Sequence, residues 1–316
     1  MSEATKLVLA AAVQTEAKVG DIDYNLEDCE RLVNRAAGDG ASWVVLPEFF
    51  ATGVGFLPEL TENAPPADGE PTKLLARLAQ SHGIHVGGSI IVRDSDGETR
   101  NAFFLYGPGG DLVGRHDKDL PTMWESALYA GGTDPGRFEA GEHSVGVAMC
   151  WELMRSQTVA RLGGQVDLVV GGSGWWSLPT NWPLLARLEP GNQVRATRAP
   201  AIFARHVGAP VIHAAHAGTV ECRFLGTPFT YRGHFEGGAQ IVDKTGRVLA
   251  RRSREQGEGI AMAQVELGRT NETYASDRFW LQQRGIIAAA AWSYQNLVGR
   301  RFYDRAQAAR RKEVNA

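Results

Sequence analysis

Apolar positions follow two periods along the chain. Residues 7–14 (LVLAAAVQ) form a nearly unbroken apolar run of strand length. Leu26, Cys29, Leu32, Val33 and Ala36 then recur at helical spacing. Asn25 is placed to cap that helix, and Gly38 and Gly40 to end it. A second strand, WVVLP (43–47), stops at Pro47 with Glu48 immediately after. Residues 53–70 carry Gly, Pro and acidic side chains and read as a surface loop, after which Pro71 suits the first turn of a helix ending near His82.

The middle of the chain changes character. HVGGSIIV (85–92) and NAFFLYG (101–107) flank a turn containing Asp96 and Gly97, and PGGD leads into LVGRHDK (112–118), the pattern of antiparallel strands. HSVGVAMC (143–150), DLVVGG (167–172), PVIHAAHAG (210–218) and GIAMAQVEL (259–267) are further strands, with a hairpin over 237–252. Helical spacing covers Glu152 to Leu162 and most of 184–207. Strands and helices alternate with hairpins between them, which predicts an α/β protein of two packed sheets covered by helices rather than one parallel sheet. No strand pattern marks the last 45 residues, yet they hold Trp280, Trp292, Phe302 and Tyr303. Such an aromatic tail (residues 271–316, after a domain over 1–270) is expected to bury itself, with a partner subunit as its place.

Composition narrows the function. With 316 residues, 43% of them hydrophobic, the chain can bury a sizeable core. A net charge of −3 argues against a nucleic-acid partner, which needs a basic excess. No apolar run reaches the roughly 18 residues of a membrane span, so no membrane partner is expected. Three scattered cysteines, Cys29, Cys150 and Cys222, form neither a disulfide framework nor a metal knuckle, and the expected location is cytoplasmic.

Three reactive groups stand at the far ends of predicted strands: Glu48 after WVVLP, Lys118 at the end of LVGRHDK and Cys150 at the end of HSVGVAMC. A carboxylate, an ammonium and a thiol make a coherent hydrolytic set, because the carboxylate can take the thiol's proton while the ammonium steadies negative charge. Taken singly, each has a plainer reading as a buried thiol, a turn cap or a solvated lysine.

The words around them decide. PEFFATG at Glu48, HDKDLPTMWE at Lys118 and MCWE at Cys150 resemble, in order, the three signatures of the nitrilase superfamily of carbon-nitrogen hydrolases, and the likeness extends over residues 7 to 267. The resemblance implies a four-layer αββα sandwich and a Glu48–Lys118–Cys150 triad. It makes Glu125 a second glutamate that positions lysine and substrate, and assigns the Trp151 N–H to the anion-stabilising pair with Lys118. It implies no metal or organic cofactor, and a homodimer or larger homo-oligomer. The wording is nearest to the nitrilase branch. The expected reaction is therefore conversion of a small-molecule nitrile to a carboxylic acid and ammonia through a thioimidate and thioester on Cys150. An amidase with the same triad is the alternative, and a non-catalytic binding protein on this fold a second one. Trp124, Trp151, Trp175 and Trp176 are candidates to wall the substrate pocket.

Other motifs carry less. GGSGWW (171–176) approaches a serine nucleophile elbow, but Trp175 stands where glycine is needed. His213 and His216 fall on opposite faces of a strand, which argues against a metal site, and His82 with His85 gives no stronger case. Arg155 and Arg198 are expected in structural salt bridges, and the basic run GRRFYDRAQAARRK (299–312) on a solvated helix face or in a disordered end.

Overall fold

A computed structural model describes residues 7–270 and 286–314. In the first half, β1 (Leu7–Thr15), α1 (Ile22–Gly38), β2 (Trp43–Val45), α2 (Glu59–Glu62), α3 (Glu70–His82), β3 (His85–Arg93), β4 (Thr99–Tyr106) and β5 (Leu112–Asp117) follow in order. The second half runs β6 (Arg137–Ala140), β7 (His143–Val147), α4 (Ser156–Leu162), β8 (Leu168–Ser173), α5 (Pro183–Ala186), α6 (Glu189–Val207) and β9 (Val211–His216). It continues through β10 (Thr219–Arg223), β11 (Thr230–His234), β12 (Gly237–Val242), β13 (Val248–Ser253), β14 (Gly259–Glu266) and α7 (Ile286–Val314).

Strand alternation builds the layers. In β1, Ala11 and Val13 pack toward α1 and α3 with Leu32, Val33, Leu75 and Leu78, whereas Val8, Ala10 and Ala12 face the other way. There they meet Val145 and Val147 of β7, Leu168 and Val170 of β8 and Ile212 of β9. The opposite faces of these strands, through Val169 and Val211, pack on α4 and α6 with Leu162, Phe203 and Val207. Helix, sheet, sheet and helix are thus stacked by the period-two pattern, giving the four layers expected.

The sheets are not wholly separate. One half has the order β5-β4-β3-β2-β1 with β14 antiparallel on β1; the other has β9-β8-β7-β6 with β12 on β9 and β13 outermost. They join where Gln14 and Thr15 pair with Ala215 and His216. Hydrogen bonding therefore runs continuously through twelve strands, with β10 and β11 as a separate hairpin.

Some local expectations change. Asp21, not Asn25, caps α1 by accepting the Tyr24 N–H at 3.2 Å. Asn25 lies inside the helix, where its carboxamide bonds to the backbone of Lys18 and to the Ala51 carbonyl, pinning the segment that follows Glu48. Part of the aromatic tail packs against its own chain, while Phe302 stays exposed. Tyr303 of α7 is 1% exposed, its hydroxyl donating to Glu98 at 2.6 Å and accepting the Thr99 N–H at 3.0 Å, and Phe302 meets Phe56 edge-on. Trp280 lies outside the described residues.

Candidate active site

Each reactive group sits just past a strand end. Glu48 comes three residues after β2, Lys118 directly after β5, and Cys150 three residues after β7, as the first residue of a 3₁₀ turn, Cys150–Met154. The strands are shorter here than the apolar runs suggest, so the chemistry stands on turns held by rigid sheet.

These turns are strained at particular points. Among the described residues, the non-glycine residues with positive φ are Phe49 (58°), Met123 (54°) and Cys150 (49°). They are, respectively, the neighbour of Glu48, a neighbour of Trp124 two positions from Glu125, and the thiol residue itself. Such conformations cost of order 1–3 kcal/mol each and persist only where the surroundings hold them.

Lys118 is central. Its Nζ lies 2.7 Å from Glu48 Oε1 and 2.8 Å from Glu125 Oε2, with all three side chains shut away from solvent. One ligand-type atom each of Glu48, Glu125 and Cys150 lies within 4.8 Å of the others. Glu48 also accepts from Asn101 Nδ2 and from the Gly174 N–H, each at 2.9 Å. Glu125 accepts the Thr122 N–H at 3.0 Å and the Tyr129 hydroxyl. Its Oε1 is buried with no hydrogen-bond partner.

Electrostatics follow from this burial. Burial opposes charge on Lys118, but Glu125 and Glu48 outweigh it and raise its pKa well above the ordinary lysine value. Burial, reinforced by Glu48 and Glu125 and only partly offset by Lys118, pushes Cys150 well above a free thiol, so its resting side chain is a neutral S–H. Burial also raises Glu125, against the pull of Lys118. The positive charge this carboxylate pair needs is already supplied by an ammonium. A second group, Glu189, His234 and Glu236, is likewise occupied by a side-chain cation, because Arg254 bonds to His234 and to Glu236.

The four tryptophans divide. Trp124 and Trp175 are 5% and 4% exposed, while Trp151 and Trp176 are half-buried. Trp124 meets Trp176 edge-on at 4.8 Å; Trp151 contacts Trp175 at 5.8 Å and stacks on Trp292 of α7 at 5.7 Å, 5° from parallel. Trp151 N belongs to the first turn of the short helix, where helical geometry supplies no acceptor.

Sequence reasoning passed over several contributors. His216 Nε2 donates to the Glu48 carbonyl at 2.7 Å while Nδ1 accepts from Thr15 Oγ1 at 2.8 Å; burial holds the ring neutral, its pKa lowered to about 4. Gly171 and Gly172 let β8 pass between the two reactive turns. A Cβ at 171 would lie 2.1 Å from the Ala148 carbonyl, and one at 172 would lie 2.8 Å from the Glu48 nitrogen. The glycines of GGSGWW thus serve close approach. Ser173 does bond to His213 at 3.0 Å, but His213 Nδ1 has no partner, so no triad forms there. Arg155 pairs with Asp119 as expected of a structural bridge, whereas Arg198 is exposed on α6.

The carbon-nitrogen hydrolase family model matches residues 9–275. The chain belongs to the carbon-nitrogen hydrolase family. It is 34% identical over 193 residues to the omega-amidase NIT2 of Danio rerio, covering 56% of this chain and 69% of that protein. It is 29% identical to a nitrilase of Pyrococcus abyssi, over 51% of this chain and 63% of that one. Among solved structures, a carbon-nitrogen hydrolase from Helicobacter pylori G27 superposes with a TM-score of 0.67 at 17% identity, covering 82% of this chain and 89% of that one. As a carbon-nitrogen hydrolase, the protein is an enzyme that cleaves non-peptide C–N bonds. No described helix is long and apolar enough to cross a membrane.

Proposed function

We propose that this carbon-nitrogen hydrolase is an amidase, releasing ammonia and a carboxylic acid from a small primary amide through a thioester on Cys150. The observation that carries the amide over the nitrile is Glu125 Oε1, a buried acceptor with no partner beside Lys118. An amide nitrogen brings N–H donors to such an oxygen; a nitrile brings none, and would leave it unsatisfied at a cost of about 1–3 kcal/mol. The likeness to omega-amidases points the same way, away from the nitrile reaction that the motif wording favoured.

The steps follow from the groups in place. Cys150 Sγ attacks the amide carbon as its proton passes to Glu48. Lys118 and the Trp151 N–H steady the oxyanion. Glu48 returns the proton to nitrogen, the C–N bond breaks and ammonia leaves. Glu48 next takes a proton from water, whose oxygen attacks the thioester. Collapse expels Cys150 sulfur, which recovers the proton, and the acid departs.

Ammonia release from matched amide and nitrile pairs, aliphatic and aryl, tests the reading with Cys150→Ala alongside. Faster release from the amide member, absent in the variant, is expected. Preference for nitriles overturns it.

We also infer that two or more copies assemble through α5 and α6. Leu184, Leu188, Val194 and Ile202 are exposed there, and burying apolar surface of this kind favours association. Light scattering at micromolar concentration should give at least twice the 34.3 kDa chain mass; a monomer contradicts it.

A further inference from the structure

Beneath the thiol lies a chain of buried charged groups that the reaction steps above do not use. Glu152 Oε2 accepts the Met149 N–H at 2.9 Å, and Oε1 accepts the Asp119 N–H at 3.1 Å. Met149 immediately precedes Cys150, and Asp119 immediately follows Lys118. His116 Nε2 donates to the same carboxylate at 3.1 and 3.2 Å, while Nδ1 donates to Asp134 Oδ1 at 2.6 Å. Asp134 Oδ2 in turn accepts the Asp117 N–H at 2.9 Å. The backbone is therefore tied on both sides of Lys118 and just before Cys150. Glu152 and His116 are 1% and 0% exposed.

We propose that Glu152, held by His116, is a positioning residue: one carboxylate fixes both the turn that presents Cys150 and the turn that presents Lys118. Its effect on turnover rests on the amidase reading; its effect on Cys150 itself does not.

The physical need is visible in the backbone. Cys150 holds φ at 49°, a conformation its surroundings must enforce. The Met149 tie is one such constraint. Because His116 donates through both ring nitrogens, it must carry a positive charge. Burial opposes that charge, but Glu152 and Asp134 outweigh it and lift the pKa to about 9. Burial also opposes charge on Glu152, yet His116 and Arg161 hold it well below the usual carboxylate range. The other charged groups here are Arg161 of α4, 3.8 Å from Glu152, and Asp119, which pairs with Arg155. Asp119, pushed up to about 6 by burial and Glu152, titrates below the range in which His116 does.

Iodoacetamide alkylation of Cys150 in the full-length protein, followed by peptide mass between pH 7 and 10, tests this without a substrate. An undisturbed thiol below its pKa gains about tenfold in rate per pH unit. In the wild type that rise should break near pH 9, falling at least threefold short by pH 10 as His116 loses its proton. Glu152→Gln should alkylate at least tenfold more slowly at pH 7.5 and show no break. In amide hydrolysis it should lose at least tenfold in kcat with KM within about twofold. A wild-type profile that climbs unbroken to pH 10 overturns the proposal, as does a folded Glu152→Gln that reacts at the wild-type rate. Should that variant fail to fold, the wild-type profile still decides. A break near pH 9 with no ammonia from any amide would sink the amidase reading and leave the positioning role standing.

Discussion

Lys118 Nζ lies 2.7 Å from Glu48 Oε1, and neither side chain reaches solvent. A buried pair of this kind is costly to break because the remaining charge has no water to turn to. Lys118→Met leaves two buried carboxylates facing each other. It should lower unfolding stability by about 3–5 kcal/mol, measured with urea, and cut ammonia release at least a thousandfold.

Removing the thiol is a different experiment. Cys150→Ala takes away a neutral, buried group and leaves the ion pairs intact. Ammonia release should vanish while the thermal midpoint stays within a few degrees of the wild type. Residual turnover above one-thousandth of wild type would exclude Cys150 as the nucleophile.

Gly171 tests why β8 carries paired glycines. With the Ala148 carbonyl only 2.1 Å from any Cβ, Gly171→Ala must displace backbone on the segment that leads to Cys150. Both the thermal midpoint and kcat should fall, by several degrees and at least tenfold. Gly38→Ala, which meets nothing within 4 Å, is the control and should change neither.

The same principle applies where α7 crosses the turn Met123–Ala127. A Cβ on Gly299 would lie 2.2 Å from Ser126 Oγ and 3.0 Å from the Ala127 nitrogen. Gly299→Val should push α7 off that turn, disturb Glu125 and lower kcat at least fivefold. Unchanged kinetics would show that α7 does not brace the turn.

Stability should also depend on pH through His116. Its pKa rises from 6.5 to about 9 on folding, so its contribution is fully present below pH 6.5 and lost as pH climbs through 9. The loss is of order 3 kcal/mol. On the acid side, His213 and His216 are held neutral by burial, lowered to about 3 and about 4. The unfolded chain therefore binds their protons first, and stability declines as pH falls from 6.5 toward 4. Thermal midpoints across pH 4–10 check both limbs; in His116→Asn the alkaline decline should flatten.

The amino-acid sequence alone carries the alternation of strands and helices and the three words that mark a carbon-nitrogen hydrolase. It does so because period-two and helical spacing are local signals, and Glu48, Lys118 and Cys150 each sit within a short stretch bound to a strand end. It missed β6, the β10–β11 hairpin and the part of α7 before residue 299. In β10, Thr219, Glu221 and Arg223 are exposed between buried Val220 and Cys222, so a short charged ribbon hides its pattern. In α7, alanines and scattered aromatics give no single apolar stripe. Folding alone brings Glu152 and His116 to the two reactive turns, sets His216 on the Glu48 backbone and lets the turns converge past Gly171 and Gly172. Those contacts link residues 33 to 168 positions apart, or set a missing Cβ against distant backbone. No local pattern can encode them, because each group's partner is fixed only when the sheets pack.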